Sequence, residues 1–161
     1  MPRVLLTLVL ATALAAVALS PAQAQFRPRP WATVNVCDPP QAPGRVGVRV
    51  SVPNRRDAAQ WVRIRIQYFD PSRFAWRVVR AGGDSAFTKL SAGGGRVMGG
   101  TTFPFAPPQP GTTIKLRGLV DIEWRRGRRV LSRARVTTRG GHANPADPLL
   151  QMSARICEIS R

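Results

Sequence analysis

The sequence contains one histidine and two cysteines, the residue types that most often act as catalytic bases, nucleophiles and metal ligands. His142 lies in residues 140–145, a segment with the composition of a turn. A general base at this position would need a nucleophile beside it, but the chain has no Gly-x-Ser-x-Gly motif. We therefore interpret His142 as an exposed loop imidazole with no catalytic role.

Carboxylate catalysis of the glycosidase kind needs two acids held close together. Asp121 and Glu123 stand two residues apart in an alternating stretch, so both point to the same face of a strand. Arginines surround them, which favours a salt-bridged surface over a catalytic pair. A hydrolase with an unrecognised site would need two convergent acids in a pocket.

The chain has few residues that could bind a metal ion or a cofactor. Two cysteines and one histidine are too few for the usual zinc sites. The glycines at residues 82–83 and 93–95 lack the Lys-Ser/Thr ending of a phosphate-binding loop and are predicted to be turns. We predict a non-enzymatic protein with no metal and no cofactor.

Positive charge is the strongest chemical signal. The chain has 25 Lys plus Arg against 8 Asp plus Glu, a net charge of +17. Arginine forks suit phosphate and carboxylate groups, so a field of this size would attract anionic polymers. If the third and fourth strands share a sheet with the last hairpin, the candidate residues on one strand face and on the turn at its end are Arg63, Arg65, Arg77, Lys115, Arg117, Arg125, Arg126, Arg128, Arg129, Arg133 and Arg135.

An alternative explanation of this charge is compositional bias, since a GC-rich coding sequence favours Arg and a basic strand face is usually a solvated one. Aromatic side chains among the arginines would favour stacking on single-stranded nucleic acid. Trp61 and Phe69 are an even number of residues from Arg63 and are therefore predicted to share its strand face, whereas Trp76 and Trp124 are predicted to point inward. We predict no specific nucleic-acid partner.

Residues 1–24 resemble a secretory signal peptide. Arg3 precedes an uncharged run over residues 4–19, and Ala22 and Ala24 form the small-residue cleavage pattern. We predict cleavage after Ala24, which leaves a flexible leader over residues 25–31. The alternative, an uncleaved anchor, fits less well because the run is shorter than the roughly 20 apolar residues that span a bilayer. The remaining chain has no second run of that length and is expected to be soluble outside the cytoplasmic membrane.

Export gives Cys37 and Cys157 an oxidising environment, in which two cysteines usually pair with each other. Such a bond would join the two ends of the mature chain. The alternative is a pair of free or intermolecular thiols.

Alternation of apolar and polar residues with a period of two marks residues 46–52, 62–68 and 114–124 as half-buried strands. The last strand should form a hairpin through a three-residue loop that pairs Arg125 with Arg129 and sets Asp121 opposite Arg133. Residues 152–159 favour a strand beside the first strand of the chain. The alternative is a helix that begins at Asp147 and Pro148.

Eight or nine short strands with regular turns indicate an all-β, antiparallel two-sheet sandwich over residues 32–161. The strand at residues 61–69 and the long hairpin at residues 113–138 resemble the immunoglobulin-like and fibronectin type III-like sandwiches. The resemblance covers residues 32–159 at the level of architecture. It implies that the third and fourth strands share a sheet with the final hairpin. It departs from antibody domains in placing the cysteines at the chain ends and in lacking the tyrosine corner.

Two functions are favoured after these exclusions, and a hydrolase with an unrecognised site is the third alternative. The first is a structural or interaction module, secreted or held in the periplasm or cell envelope, that engages an unknown protein partner. The second is a polyanion-binding protein that uses the arginine-rich face for a cell-wall polymer, anionic lipid or nucleic acid.

Overall fold

The computed structural model describes residues 28–91, 94–147 and 152–161. The predicted signal peptide and residues 25–27 of the leader lie outside these residues. Within the described residues the chain forms nine strands. They are β1 (Trp31–Cys37), β2 (Arg45–Pro53), β3 (Ala59–Asp70), β4 (Ala75–Val78), β5 (Asp84–Lys89), β6 (Arg96–Pro104), β7 (Thr113–Arg126), β8 (Arg129–Thr137) and β9 (Cys157–Ser160).

The strands form two antiparallel sheets. The smaller sheet has the order β1-β2-β6 and the larger has β4-β3-β7-β8, with β5 also on β3 and β9 also on β7. Strands β4 and β5 share one edge of β3, because β4 pairs near Phe69 and β5 pairs near Arg63. The predicted all-β, two-sheet antiparallel sandwich is confirmed, and the described residues contain no helix.

The core lies between the sheets and is built from the alternating residues that the sequence marks as apolar. Val48 and Val50 of β2 are buried, as are Ile64 of β3 and Ile122 of β7. Gly118 allows β7 to lie close to β2 of the other sheet, since a Cβ there would lie 2.9 Å from Cγ2 of Val48.

The predicted register of the long hairpin is wrong. The turn has two residues, Gly127 and Arg128, and it pairs Arg126 with Arg129. Gly127 has φ +56°, as the tight turns of hairpins require. A bulge opposite Trp124 and Arg125 then adds one residue, Leu131, to β8, which keeps the inward and outward alternation of the later pairs intact. As a result Arg135, not Arg133, stands opposite Asp121.

The predicted strand over residues 152–159 is shorter than expected and has a different partner. Beside β1, only Ala154 pairs with the strand, through two backbone hydrogen bonds to Val34 of 2.9 and 3.0 Å. The chain then crosses to β7, where β9 covers the edge at Thr113–Leu116 that β8 leaves open. Residues 148–151, where the alternative helix would begin, lie outside the described residues.

The predicted pairing of the two cysteines is confirmed. Cys37 ends β1 and Cys157 begins β9, and a disulfide joins them with a Cα–Cα distance of 5.3 Å. Arg161 donates hydrogen bonds of 2.7 and 2.8 Å to the Asp38 carboxylate beside this bond. The disulfide and this ion pair fasten the last strand to the end of the first.

A candidate anion-binding surface

The outer face of the larger sheet collects most of the arginines that the sequence singles out. Register sets Arg63, Asp121 and Arg135 in one row across β3, β7 and β8, and Trp61, Glu123 and Arg133 in the next row. The outward positions of the three strands that belong to the predicted set are Arg63, Arg65, Lys115, Arg117, Arg125, Arg133 and Arg135. The face therefore exists as predicted for these seven residues.

Carboxylates neutralise the centre of this face. Asp121 is bridged by Arg65 and Arg135, with Nε of Arg135 at 2.5 Å from Oδ1. Glu123 lies between Arg125 at 2.7 Å and Arg133 at 2.9 Å. The centre of the face is therefore a network of ion pairs rather than an open array of guanidinium groups.

Two acids of this face, Glu123 and Asp84, are held in the ionised form. The hydrogen bond from Arg133 lowers the pKa of Glu123 most, although burial acts in the opposite direction, and Arg125 lowers it further. The hydrogen bond from Arg63 lowers the pKa of Asp84 in the same way. Carboxylates with lowered pKa values serve as counter-ions at neutral pH and are poor proton donors.

The remaining acids follow the same rule, so that each of the eight Asp and Glu side chains pairs with an Arg or Lys. The other pairs are Asp38 with Arg161, Asp57 with Arg55 and Arg126, Asp70 with Arg73, Asp147 with Arg49, and Glu158 with Lys115. The surplus cations are consequently the ones that carry the net charge.

We expect acid to destabilise the fold in the window set by these pairs. The hydrogen bond from Arg161 lowers the pKa of Asp38 to about 2 from its ordinary value of 3.8. A lowered pKa contributes stability above the ordinary value, and that stability is lost as the pH falls through the folded-state value. The free energy of unfolding should therefore fall between about pH 4 and about pH 2. Urea unfolding at a series of pH values measures this loss.

Replacing the partner gives a residue-specific check. In Arg161→Gln, the pKa of Asp38 should return towards 3.8, as followed by carboxyl carbon NMR. The control is Arg155→Gln, which removes an exposed arginine from a different position and should leave Asp38 unchanged. An unchanged Asp38 titration in Arg161→Gln would contradict the assignment.

Two predicted orientations are wrong on β4. The four-residue turn pairs Asp70 with Ala75, which sets Trp76 opposite Phe69 on the outer face. Arg117 lies over the Trp76 ring, with Cζ 4.2 Å from the centroid. Arg77 stands opposite Tyr68 and so belongs to the other face of the sheet from Arg63. Trp124 points inward as predicted, donating from Nε1 to the Pro53 carbonyl at 3.3 Å.

A concave basic site lies at the end of the sandwich where the β2–β3 turn, the end of β5 and the β7–β8 hairpin meet. This end groove has a volume of about 870 Å³. Its charged lining residues are Arg55, Arg56, Asp57, Lys89, Arg125 and Arg126. Asp57 is the one carboxylate of that lining, and Arg55 at 3.0 Å and Arg126 at 3.2 Å share it.

The uncompensated charges of the end groove are Arg56 and Lys89, which are exposed and form no ion pair with any residue that the structure describes. The exposed Arg128 and Arg129 project from the adjoining hairpin and are equally without a carboxylate within residues 28–91, 94–147 and 152–161. Excess cations around a concavity favour an anionic ligand, because the field is focused between low-dielectric walls.

Sequence reasoning found the hairpin arginines of this groove but missed Arg55, Arg56 and Lys89. Consecutive arginines in the turn after a strand are visible in the sequence. Their approach to Lys89 depends on β5 pairing along β3, with Lys89 opposite Trp61, which no local pattern indicates.

His142 is not the exposed imidazole that we predicted. Its ring is half-buried and stacks on Trp31 with centroids 3.9 Å apart, and Arg139 donates to its Nε2 at 3.0 Å. Burial lowers the pKa of His142, and Arg139, Arg49 and Arg96 lower it further. The ring is therefore neutral at pH 7, with Nε2 acting as an acceptor in a packed contact.

No family model matches the chain, and no curated protein matches it either. In the part of the chain that the structure describes, no helix is long and apolar enough to cross a membrane. The same residues contain no group of three or more His, Cys, Asp or Glu side chains placed to hold a metal ion.

Proposed function

We propose that this chain is an exported, non-enzymatic β-sandwich that acts as an interaction module outside the cytoplasmic membrane. The end groove carries the proposal, because it combines concavity with charge that the protein itself leaves uncompensated. Paired, ionised acids such as Glu123 and a neutral His142 packed on Trp31 support a binding role over acid–base catalysis.

Export is supported by the signal-like residues 1–24 and by the Cys37–Cys157 disulfide, which forms readily in oxidising compartments. Expression of the full chain in a bacterial host tests it. We expect a product outside the cytoplasmic membrane that begins at Gln25 by mass spectrometry and has no titratable thiol. A cytoplasmic product with Met1 retained would contradict the proposal.

We further propose that the sandwich is of the immunoglobulin-like or fibronectin type III-like kind. The support is connectivity: β2 pairs with β6 and β3 pairs with β7, so the chain crosses between the sheets rather than running up and down within one. The third and fourth strands also share a sheet with the final hairpin, as in that architecture.

A second candidate function, polyanion binding, is favoured by the position of the surplus cations. Most arginines of the sheet face form ion pairs with carboxylates. Around the end groove, Arg56, Lys89 and Arg128 form no such pair among the described residues and can contact an external anion. We therefore move the proposed contact from the centre of the sheet face to its end. An extended anionic polymer such as polyphosphate or heparin has the charge that this site would bind.

The matched comparison is between two double variants that each remove two exposed positive charges without an ion-pair partner among the residues that the structure describes. Arg56→Gln/Lys89→Gln alters the end groove, whereas Arg45→Gln/Arg155→Gln alters positions outside it. We expect the groove variant to bind polyphosphate at least about tenfold more weakly and to reduce the slope of log affinity against log salt by about 1 per lost contact.

The control variant should retain wild-type affinity in titrations monitored by intrinsic fluorescence. Equal losses in both variants would show attraction by net charge alone and would overturn the groove as a binding site. Binding that disappears at modest salt in the wild type would do the same.

A further inference from the structure

The opposite end of β3 carries an exposed aromatic tip. Phe74 ends the turn between β3 and β4 and is 86% exposed. Its φ of +50° lies in the left-handed region, which bulky side chains rarely adopt. A glycine would fit this backbone without strain. The large apolar side chain of Phe74 is therefore present although the backbone conformation disfavours it.

The turn holds this ring in place. The Asp70 carboxylate accepts hydrogen bonds from the backbone N of Ser72 at 3.1 Å, from its Oγ at 2.6 Å and from Nη1 of Arg73 at 3.2 Å. The pKa of Asp70 is lowered, first by Ser72 and then by Arg73 against the effect of burial. Asp70 therefore stays ionised, with its charge directed into its own turn.

Further aromatic side chains support the ring. Phe69 makes edge contacts with both Phe74 and Trp76, at centroid distances of 5.4 and 5.5 Å. Tyr68, on the other face of the strand, is 37% exposed. We refer to Phe69, Phe74 and Trp76 as the aromatic tip.

Arginines lie beside Trp76 of the aromatic tip, along a cleft that also contains Tyr68. Arg77 and Arg80 are exposed and have no ion-pair partner among the described residues. Together with Arg73 they line a cleft of about 710 Å³ beside Tyr68 and Trp76. Arg73 pairs with Asp70, and the cleft lining itself includes no carboxylate, which leaves Arg77 and Arg80 to meet an external anion.

We propose that the aromatic tip docks on an anionic phospholipid surface, with Phe74 inserted at the boundary of the acyl chains and with Arg77 and Arg80 at the lipid phosphates. A bilayer surface has anionic phosphates outside and apolar acyl chains beneath them. An exposed aromatic ring that enters the acyl-chain boundary, with arginines left at the level of the phosphates, matches this layering. A soluble polyanion would offer Phe74 no apolar medium. A second copy of the chain would bring like-charged arginines together.

This surface is distinct from the end groove. The groove lies where β3 begins, at Ala59, and the aromatic tip lies on both sides of Asp70, where β3 ends. The two proposals can therefore fail independently, because variants of one surface leave the other unchanged.

The test uses the disulfide-bonded chain from Gln25 onward, sedimented with vesicles of equimolar phosphatidylcholine and phosphatidylglycerol and with pure phosphatidylcholine vesicles. We expect binding to the anionic vesicles, weakened about tenfold or more in Phe74→Ala through loss of the inserted ring. Met98→Ala is the matched control, since Met98 is a 53% exposed apolar side chain on β6, in the other sheet, and its loss should have no effect.

Charge is tested separately. Arg77→Gln/Arg80→Gln should weaken binding to the anionic vesicles more than Arg45→Gln/Arg155→Gln, which removes the same charge elsewhere. In Phe74→Trp, binding should be retained and the new indole should be quenched by lipids brominated on the acyl chains, which reports insertion.

Several outcomes would overturn the proposal. These are equal binding of Phe74→Ala and wild type, equal binding to neutral and anionic vesicles, and no quenching of the Phe74→Trp indole. Self-association that Phe74→Ala abolishes, without vesicle binding, would instead identify a second copy as the occupant and would also overturn it. The thermal melt of each variant checks that it remains folded.

Discussion

Replacing both Cys37 and Cys157 with serine is expected to lower the free energy of unfolding by about 4–5 kcal/mol, the loop-closure value for a cross-link that spans on the order of 100 residues. The two cysteines are 120 residues apart, so the bond restricts nearly the whole unfolded domain. For a domain of this size the melting temperature should fall by about 15 °C. Urea unfolding monitored by tryptophan fluorescence, together with calorimetry, measures both quantities.

The loss should also have a local component. Strand β9 has four residues and joins the larger sheet through Thr113–Leu116 alone, so the bond from Cys157 is its main covalent restraint. Hydrogen exchange at Ile159, which is fully buried in the native protein, should accelerate more than exchange at Ile64 in the centre of β3.

Reduction of the wild type is the control, since reductant should destabilise it to the level of the double variant and should not change the double variant. A loss below about 1 kcal/mol would show that the unfolded chain gains little freedom when the bond is removed, contrary to the chain-entropy argument.

The alternation of apolar and polar residues was enough to predict the two-sheet architecture, because every second residue of a half-buried strand faces the core. Val48 and Ile64 point inward for this reason, and Arg63 and Arg65 point outward. The expectation of export was likewise enough to predict the disulfide, since only two cysteines were available to pair.

Orientation after a turn was not predictable in the same way. The parity of Trp76 and Arg77 depends on how many residues the turn after Asp70 contains, and an error of one residue reverses both. The bulge at Trp124 and Arg125 similarly changes the pairing of the hairpin while leaving its faces intact. The meeting of Arg56 with Lys89 requires the pairing of distant strands and has no local signal.

The distribution of the acids explains how a chain with this excess of arginine forms a sheet with arginines on neighbouring strands. Like charges that stand side by side on neighbouring strands destabilise a sheet, so Asp121 and Glu123 on the central strand β7 are positioned where one carboxylate can bridge two arginines. The remaining excess is carried by turns and by exposed positions near the sheet ends, such as Arg56, Arg80 and Arg128. The two proposed binding surfaces, the end groove and the aromatic tip, therefore lie at opposite ends of β3.

Asp147→Asn is expected to lower the free energy of unfolding by about 3 kcal/mol or more, as breaking one side of a buried ion pair typically does. The Asp147 carboxylate is buried against the outer face of the smaller sheet, where Oδ1 accepts from Nη1 of Arg49 at 2.8 Å and from Nδ2 of Asn35 at 3.1 Å. The guanidinium of Arg49 is also buried and donates to the backbone carbonyl of His142. Asparagine keeps the shape of the side chain but leaves the Arg49 charge uncompensated.

Two further variants distinguish the destabilisation caused by an uncompensated buried charge from that caused by the loss of side-chain contacts. Arg49→Met/Asp147→Leu removes both charges and should be less destabilised than Asp147→Asn, because no unpaired ion is left in the interior. Asp57→Asn breaks an exposed ion pair and should leave the urea midpoint unchanged within error, since exposed pairs contribute little. If Asp147→Asn and the double variant lost the same stability, the segment over residues 139–147 would be held by packing, such as that of His142 on Trp31, rather than by the Arg49–Asp147 pair.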